Sequence, residues 1–208
     1  MNAIRIHVVD DDASFRTAIG RLLEACGHQV ALYDSAQAFI NATSEPGPGC
    51  VLLDVNMPEL SGLQLQEHLR QSGSPLPIIF LTGHGDVAMS VRAVKAGAED
   101  FLLKPVSRDA LLDAVERARV RYDADSQQHG QLAGLRTRVA SLTPREREVF
   151  ELVVQGLLNK QIAYQLGNTE RTVKAQRHSV MEKMQVGSLA ELVQAASRLG
   201  LLNQAEQA

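Results

Sequence analysis

The chain has 208 residues, 45% hydrophobic and 22% charged, with a net charge of -3, an ordinary mixture for one large or two small globular domains. Aromatics are only 4% with no Trp, which leaves little material for stacking single-stranded bases, and no apolar run approaches the roughly 18 residues of a membrane span. The start MNAIRIHVVDDD places acids where a signal peptide needs its apolar core, so a cytoplasmic protein is expected, with Cys26 and Cys50 as buried reduced thiols.

Residues 4–9 (IRIHVV), 29–33 (QVALY), 50–55 (CVLLDV), 77–82 (PIIFLT) and 100–104 (DFLLK) read as short strands, the central ones apolar on both faces. Between them apolar residues fall at helical spacing, as with Phe15, Ile19, Leu22 and Leu23, or Val87, Val91 and Val94. These βα units predict an α/β domain over residues 1–120: a five-stranded, doubly wound parallel sheet whose functional crevice lies outside the carboxyl ends of its strands. Helical spacing continues through Leu111, Val115 and Ala118, fades across RYDADSQQHGQ and resumes at Leu132, Leu135 and Val139. Residues 121–140 are therefore expected to form a helical, semi-flexible linker weakened at Gly130 and Gly134. Over residues 141–208 strand signals are missing. Thr143, Pro144 and Glu146 announce a capped helix, and further helices are expected after Gly156, after Gly167 and from Ser188, giving a small all-α bundle. Charge divides the same way, with 10 basic and 15 acidic side chains in residues 1–120 and 11 and 9 in the rest.

The strongest signal lies at the strand ends. Asp10, Asp11 and Asp12 follow the first strand, Asp54 ends the third, Thr82 the fourth and Lys104 the fifth. Unit charges 4 Å apart near a protein surface repel by about 4 kcal/mol, so clustered carboxylates need a counter-charge, and hard oxygens with room for water suit Mg²⁺. A carboxylate beside a divalent metal, a lysine and a hydroxyl is equipped to attack phosphorus. Taken singly each acid reads as a solvated loop residue or a helix cap; together at the strand ends they read as a site. His84 reads as a loop residue beside it.

VVDDDAS, LLDVNMPELSGLQL, FLTGHGDV and AGAEDFLLKP, in this order, resemble the receiver domain of two-component response regulators. The resemblance implies that Asp54 accepts phosphate from a sensor histidine kinase, that Asp11, Asp54 and the carbonyl of Asn56 hold Mg²⁺, and that Asp10 assists through water. It further implies that Lys104 pairs with the phosphoryl group, that Thr82 hydrogen-bonds it, that the Lys104–Pro105 bond is cis, and that Phe101 is a switch aromatic; Phe101 reads equally well as a core residue. Phosphatases with an aspartyl nucleophile need a second Asp two residues on, where this chain has Asn56, so slow self-phosphorylation and self-dephosphorylation are expected rather than enzymatic turnover.

Residues 141–200 resemble the DNA-binding domain of the NarL/FixJ (LuxR-type) family. Independently, Gln161, Ile162 and Ala163 open a short helix that a turn at Gly167 separates from one capped by Thr169, a helix-turn-helix. Helical stepping gathers Val173, Val180 and Met184 on one side and Arg171, Lys174, Ala175, His178 and Glu182 on the other, the side expected to enter a major groove of double-stranded promoter DNA. Lys174 and His178 are expected to reach bases and Ala175 to permit close approach, while Arg177, Gln176, Thr172 and Lys160 flank the face near phosphates. The stretch TGHGDVAMSVRAVKAGAEDF is similar to FixJ-type members, in particular those of aromatic-hydrocarbon (styrene or toluene) catabolism. The resemblance implies a regulator that forms a homodimer on phosphorylation and contacts RNA polymerase. The pairing face is expected on Asp86–Gly97 and Glu99–Leu103, with Arg92 and Lys95 meeting Glu99 or Asp100 of the second copy. The alternative is an adaptor that binds proteins without phosphorylation.

Overall fold

The computed structural model describes residues 4–42, 47–83 and 87–202, with the backbone alone at 87–90, and divides into two compact units, Met1–Ser126 and Gln127–Ala208. In the first unit β1 (Arg5–Val9), β2 (Gln29–Tyr33), β3 (Gly49–Asp54), β4 (Ile78–Thr82) and β5 (Asp100–Leu103) pair in parallel in the order β2-β1-β3-β4-β5. Between and after them run α1 (Ala13–Ala25), α2 (Ala36–Ala42), α3 (Gly62–Gln71), α4 (Val87–Lys95) and α5 (Arg108–Ala140). Strand order turns outward from β1 to β2 and then crosses back to β3. The crevice of such a sheet opens at that reversal, beyond the carboxyl ends of β1 and β3.

Alternation along the strands builds a core on each face of the sheet. Ile6, Val8, Leu52, Ile79 and Leu81 meet Ile19 and Leu23 of α1 and Leu111 and Val115 of α5. Val9, Leu53 and Phe80 meet Phe39 of α2, Leu65 and Leu69 of α3 and Ala93 of α4. Every residue of β3 and β4 is buried, as expected of strands covered on both faces. Cys50 is among them, and burial pushes its thiol up to about 12. Cys26 departs from expectation: it is only half-buried, at the end of α1 within 3.6 Å of Arg108 Nη2.

A polar side chain also lies in this core. His7 of β1 is buried, with Nδ1 3.2 Å from the Tyr33 hydroxyl and its ring packed on Tyr33 and edge-on to Phe39. Burial, helped by the charge of Arg5, lowers its pKa from 6.5 to about 4. The imidazole is therefore neutral in the fold but protonated in the unfolded chain between these values. Stability attributable to His7 is complete above pH 6.5 and declines as pH falls toward 4, by up to about 3 kcal/mol. Urea unfolding at pH 7 and pH 4.5 should show His7→Phe losing less on acidification than wild type; equal losses would remove His7 as the cause.

The second unit contains the end of α5, α6 (Pro144–Val154), α7 (Asn159–Gln165), α8 (Glu170–Met184) and α9 (Leu189–Arg198). Thr143 caps α6 with Glu146 closing the box and Pro144 in the first turn, as the sequence predicts. The linker expected to be helical at 121–140 is helical throughout. Here α5 runs unbroken through Gly130 and Gly134, because its two ends are buried: Tyr122 belongs to the first unit's core, and Leu135 and Val139 to the second's. A helical glycine costs about 1 kcal/mol relative to alanine, which burying two large apolar side chains offsets. Ion pairs of Arg119 with Glu116 and Asp123 add to the helix around Tyr122. The bundle core thus has a contribution from α5 beyond the four helices expected.

Candidate functional sites

The strand ends deliver their charged residues to one place. Asp10, buried just beyond β1, and Asp54, buried at the end of β3, accept hydrogen bonds from a single ammonium: Lys104 Nζ lies 2.6 Å from Asp10 Oδ2 and 2.7 Å from Asp54 Oδ1. Lys104 is aimed there by the end of β5, where its amide donates to the Thr82 carbonyl at 2.7 Å and the Lys104–Pro105 bond is cis. Burial raises the pKa of Asp10 more than the hydrogen bond from Lys104 lowers it. For Lys104, burial acts to lower the pKa, but hydrogen bonds to both carboxylates outweigh it and the net shift is upward. Lys104 is thus the counter-charge that the acidic cluster requires.

Neighbouring backbone completes the pocket. The Asn56 amide donates to Asp54 Oδ2 at 2.7 Å and the Asp12 amide to Asp10 Oδ1 at 3.0 Å. Asp11 is exposed beside them. Asp12 has the humbler role: it caps α1, and amides of Phe15 and Ser14 hold its carboxyl below the usual range. Gly62, first residue of α3, is pressed against β3 so closely that a Cβ there would lie 2.2 Å from the Asp54 carbonyl oxygen. Thr82 is buried at the end of β4, and Phe101 is half-buried with its ring 6.1 Å from that of Phe80. His84 and Asp86 lie outside the described residues. Sequence reasoning missed Phe15, whose ring centroid is 4.1 Å from Lys104 Nζ. It read Phe15 only as an apolar position on a helix.

No three His, Cys, Asp or Glu side chains among the described residues form a metal cage. The donors present are carboxylate and carbonyl oxygens beside an exposed edge. They fit an ion such as Mg²⁺, which takes one or two carboxylates and keeps most of its water.

In the second unit α7, a turn with Gly167 at φ +63°, and α8 form the helix-turn-helix. Thr169 caps α8 by accepting from the Thr172 amide. Val173, Val180 and Met184 are fully buried, and Arg171, Lys174, Ala175, His178 and Glu182 are exposed, as predicted. The flanking set divides. Lys160 is exposed, whereas Arg177 is half-buried and donates to Asn159 Oδ1 at 3.1 Å, tying α8 to the start of α7. The Thr172 hydroxyl is shared with Thr169, and Gln176 buries its carbonyl oxygen. Arg177 and Thr172 thus hold local structure that sequence spacing does not reveal. Two further features escaped it: Tyr164 stands 91% exposed on α7, and Lys183 Nζ reaches Glu146 Oε2 at 2.6 Å, fastening α8 to the cap of α6.

The expected pairing face is partly engaged within the chain. Val91 and Val94 of α4 and Leu103 of β5 are exposed, and Arg92 and Lys95 accompany them. Glu99 and Asp100, however, are already paired within the chain to Arg121 and Arg117 of α5. The nearest cations won, because α5 packs beside β5.

Comparison with known proteins matches residues 6–116 to the response regulator receiver domain and residues 140–196 to bacterial regulatory proteins of the luxR family. The chain is 44% identical to the transcriptional regulatory protein FixJ of Bradyrhizobium diazoefficiens over 95% of this chain and 97% of the other. It is 42% identical to the response regulator protein TmoT of Ectopseudomonas mendocina, over 93% and 88%. Among solved structures the response regulator StyR superimposes with a TM-score of 0.83 at 42% identity, covering 94% of this chain and 99% of that one.

Proposed function

Since the chain belongs to the FixJ-like response regulators, DNA-binding proteins of two-component systems with a receiver domain and a LuxR-type domain, we propose that its message is a phosphoryl group on Asp54. What carries this reading is the single ammonium of Lys104 held between Asp10 and Asp54 at the carboxyl edge of the sheet. An oxygen of the Asp54 carboxylate forms the new P–O bond as the P–N bond of a phosphohistidine on the sensor kinase breaks, the electron pair leaving with the imidazole. Lys104 then neutralises charge on the phosphoryl oxygens, Thr82 hydrogen-bonds them, and Phe101 follows Thr82 inward as the switch. Asp11, Asp54 and the Asn56 carbonyl would hold Mg²⁺, with Asp10 assisting through water, and the ion would supply further positive charge there. Being regulatory rather than catalytic, the protein turns over only its own aspartyl phosphate, slowly, since Asn56 offers no acid.

Domain limits of 1–120, 121–140 and 141–208 remain our reading, with α5 spanning the middle segment as one helix. No described helix is long and apolar enough to cross a membrane, and we place the protein in the cytoplasm. Similarity to TmoT and StyR supports the subgroup singled out from the sequence. Phosphorylation is read as promoting a homodimer through Val91, Val94 and Leu103, and the paired second domains as gripping promoter DNA and meeting RNA polymerase. The LuxR-type domain leaves the adaptor alternative without support.

The test is acetyl phosphate and Mg²⁺ added to wild type and Asp54→Asn, with mass and DNA binding measured. Wild type should gain one phosphate and bind DNA more tightly; a mutant labelled as fully as wild type would falsify the assignment. On DNA, Lys174→Ala and His178→Ala should each relax base discrimination by about 1–3 kcal/mol, whereas Lys160→Ala should weaken binding evenly across sequences and lower the salt slope. Equal losses on specific and random duplexes for all three would sink the groove assignment.

A further inference from the structure

Lys104 ends in a flexible four-carbon stem, and an ammonium on such a stem goes where its partners hold it. Two of those partners, Asp10 and Asp54, are carboxylates, and the third is the Phe15 ring, 4.1 Å from Nζ to the centroid. The three differ in what phosphorylation does to them. Asp54 changes from a carboxylate into an acyl phosphate, so its contact with the ammonium must be remade during the step, and the ring contact is untouched by the chemistry. Phe15 is itself anchored outside the pocket: its amide donates to the capping carboxylate of Asp12, and its side chain packs against the core under α1. A ring face attracts a cation through its quadrupole, most strongly where water is scarce, and the Lys104 side chain is only 18% exposed.

We propose that Phe15 is a positioning residue: its ring holds the Lys104 ammonium in place while Asp54 takes up phosphate, and thereby sets the rate of that step. The inference rests on Asp54 being the acceptor. With acetyl phosphate the balance is simple: the Asp54 carboxylate forms a P–O bond, the acetyl phosphate P–O bond breaks, and acetate leaves. Phe15 exchanges neither electrons nor protons. It acts only through Lys104.

The experiment uses the full chain with acetyl phosphate and Mg²⁺, following mass gain with time in wild type, Phe15→Tyr, Phe15→Leu and a series with 4-fluoro-, 3,5-difluoro- and pentafluorophenylalanine at position 15. Fluorination drains the ring face while nearly keeping its shape, so a role in packing alone predicts no trend. Rates should fall with each fluorine added, Phe15→Leu should be slower than wild type by roughly three- to tenfold, and Phe15→Tyr should stay within about twofold. The ring-current shift of the Lys104 ε-methylene protons should persist in Phe15→Tyr and vanish in Phe15→Leu, a signature independent of phosphorylation. Equal rates across the fluorinated series overturn the role of Phe15 and leave Asp54 standing. Wild type that gains no phosphate overturns the Asp54 reading and this one with it.

Discussion

Lys104→Met should leave a protein that is both less stable and unable to keep phosphate on Asp54. The substitution preserves most of the apolar stem and removes the ammonium that Asp10 and Asp54 share, leaving two buried carboxylates facing each other. Removing one partner of a buried ion pair costs about 3 kcal/mol or somewhat more. The pH dependence identifies the cause. Burial already raises the pKa of Asp10 with Lys104 in place, and without the ammonium that acid should rise further. A carboxyl whose folded pKa lies above its unfolded value is least penalised at low pH and increasingly so as pH climbs through the folded value. The deficit of Lys104→Met should therefore be larger at pH 7.5 than at pH 5, as read by urea unfolding. A deficit independent of pH would mean that lost packing, and not lost charge, is responsible.

Gly62→Ala should be the second severe change, for a reason unconnected with charge. Its Cβ would sit 2.2 Å from the Asp54 carbonyl oxygen and 3.1 Å from the Phe80 ring. The nearer obstacle is backbone, so no rotamer change relieves it, and either α3 must back away or the end of β3 must bend. Overpacking of this kind costs about 3 kcal/mol. Because the displaced peptide belongs to Asp54, phosphate uptake from acetyl phosphate should fall along with stability. An alanine variant that unfolds within about 1 kcal/mol of wild type would show that the gap between α3 and β3 is softer than drawn.

The first domain was legible because its information is local and periodic. Runs such as 50–55 and 77–82 have the length and apolar character of strands covered on both sides, and once the strands are placed, the topology brings Asp10, Asp54, Thr82 and Lys104 to one edge. The buried side of α8 follows from spacing in the same way. Illegible were the pairings between residues far apart that share no pattern. Phe15 looks like any apolar helix position until Lys104 is folded over it. The bond from Arg177 to Asn159 has no trace in the sequence until α7 brings the two together. Along 121–140 the helical spacing was legible, whereas the distant cores that receive Tyr122, Leu135 and Val139 were not.

The ion pairs of Glu99 with Arg121 and of Asp100 with Arg117 carry a consequence for assembly. Acids spoken for at home would not beckon a second copy, and in the proposed homodimer Arg92 and Lys95 of one copy would face those of the other. Such a face would gather through its apolar residues against a residual repulsion of cations. Dissolved salt, which ordinarily loosens contacts knit by opposite charges, would shield that repulsion and so help two copies meet.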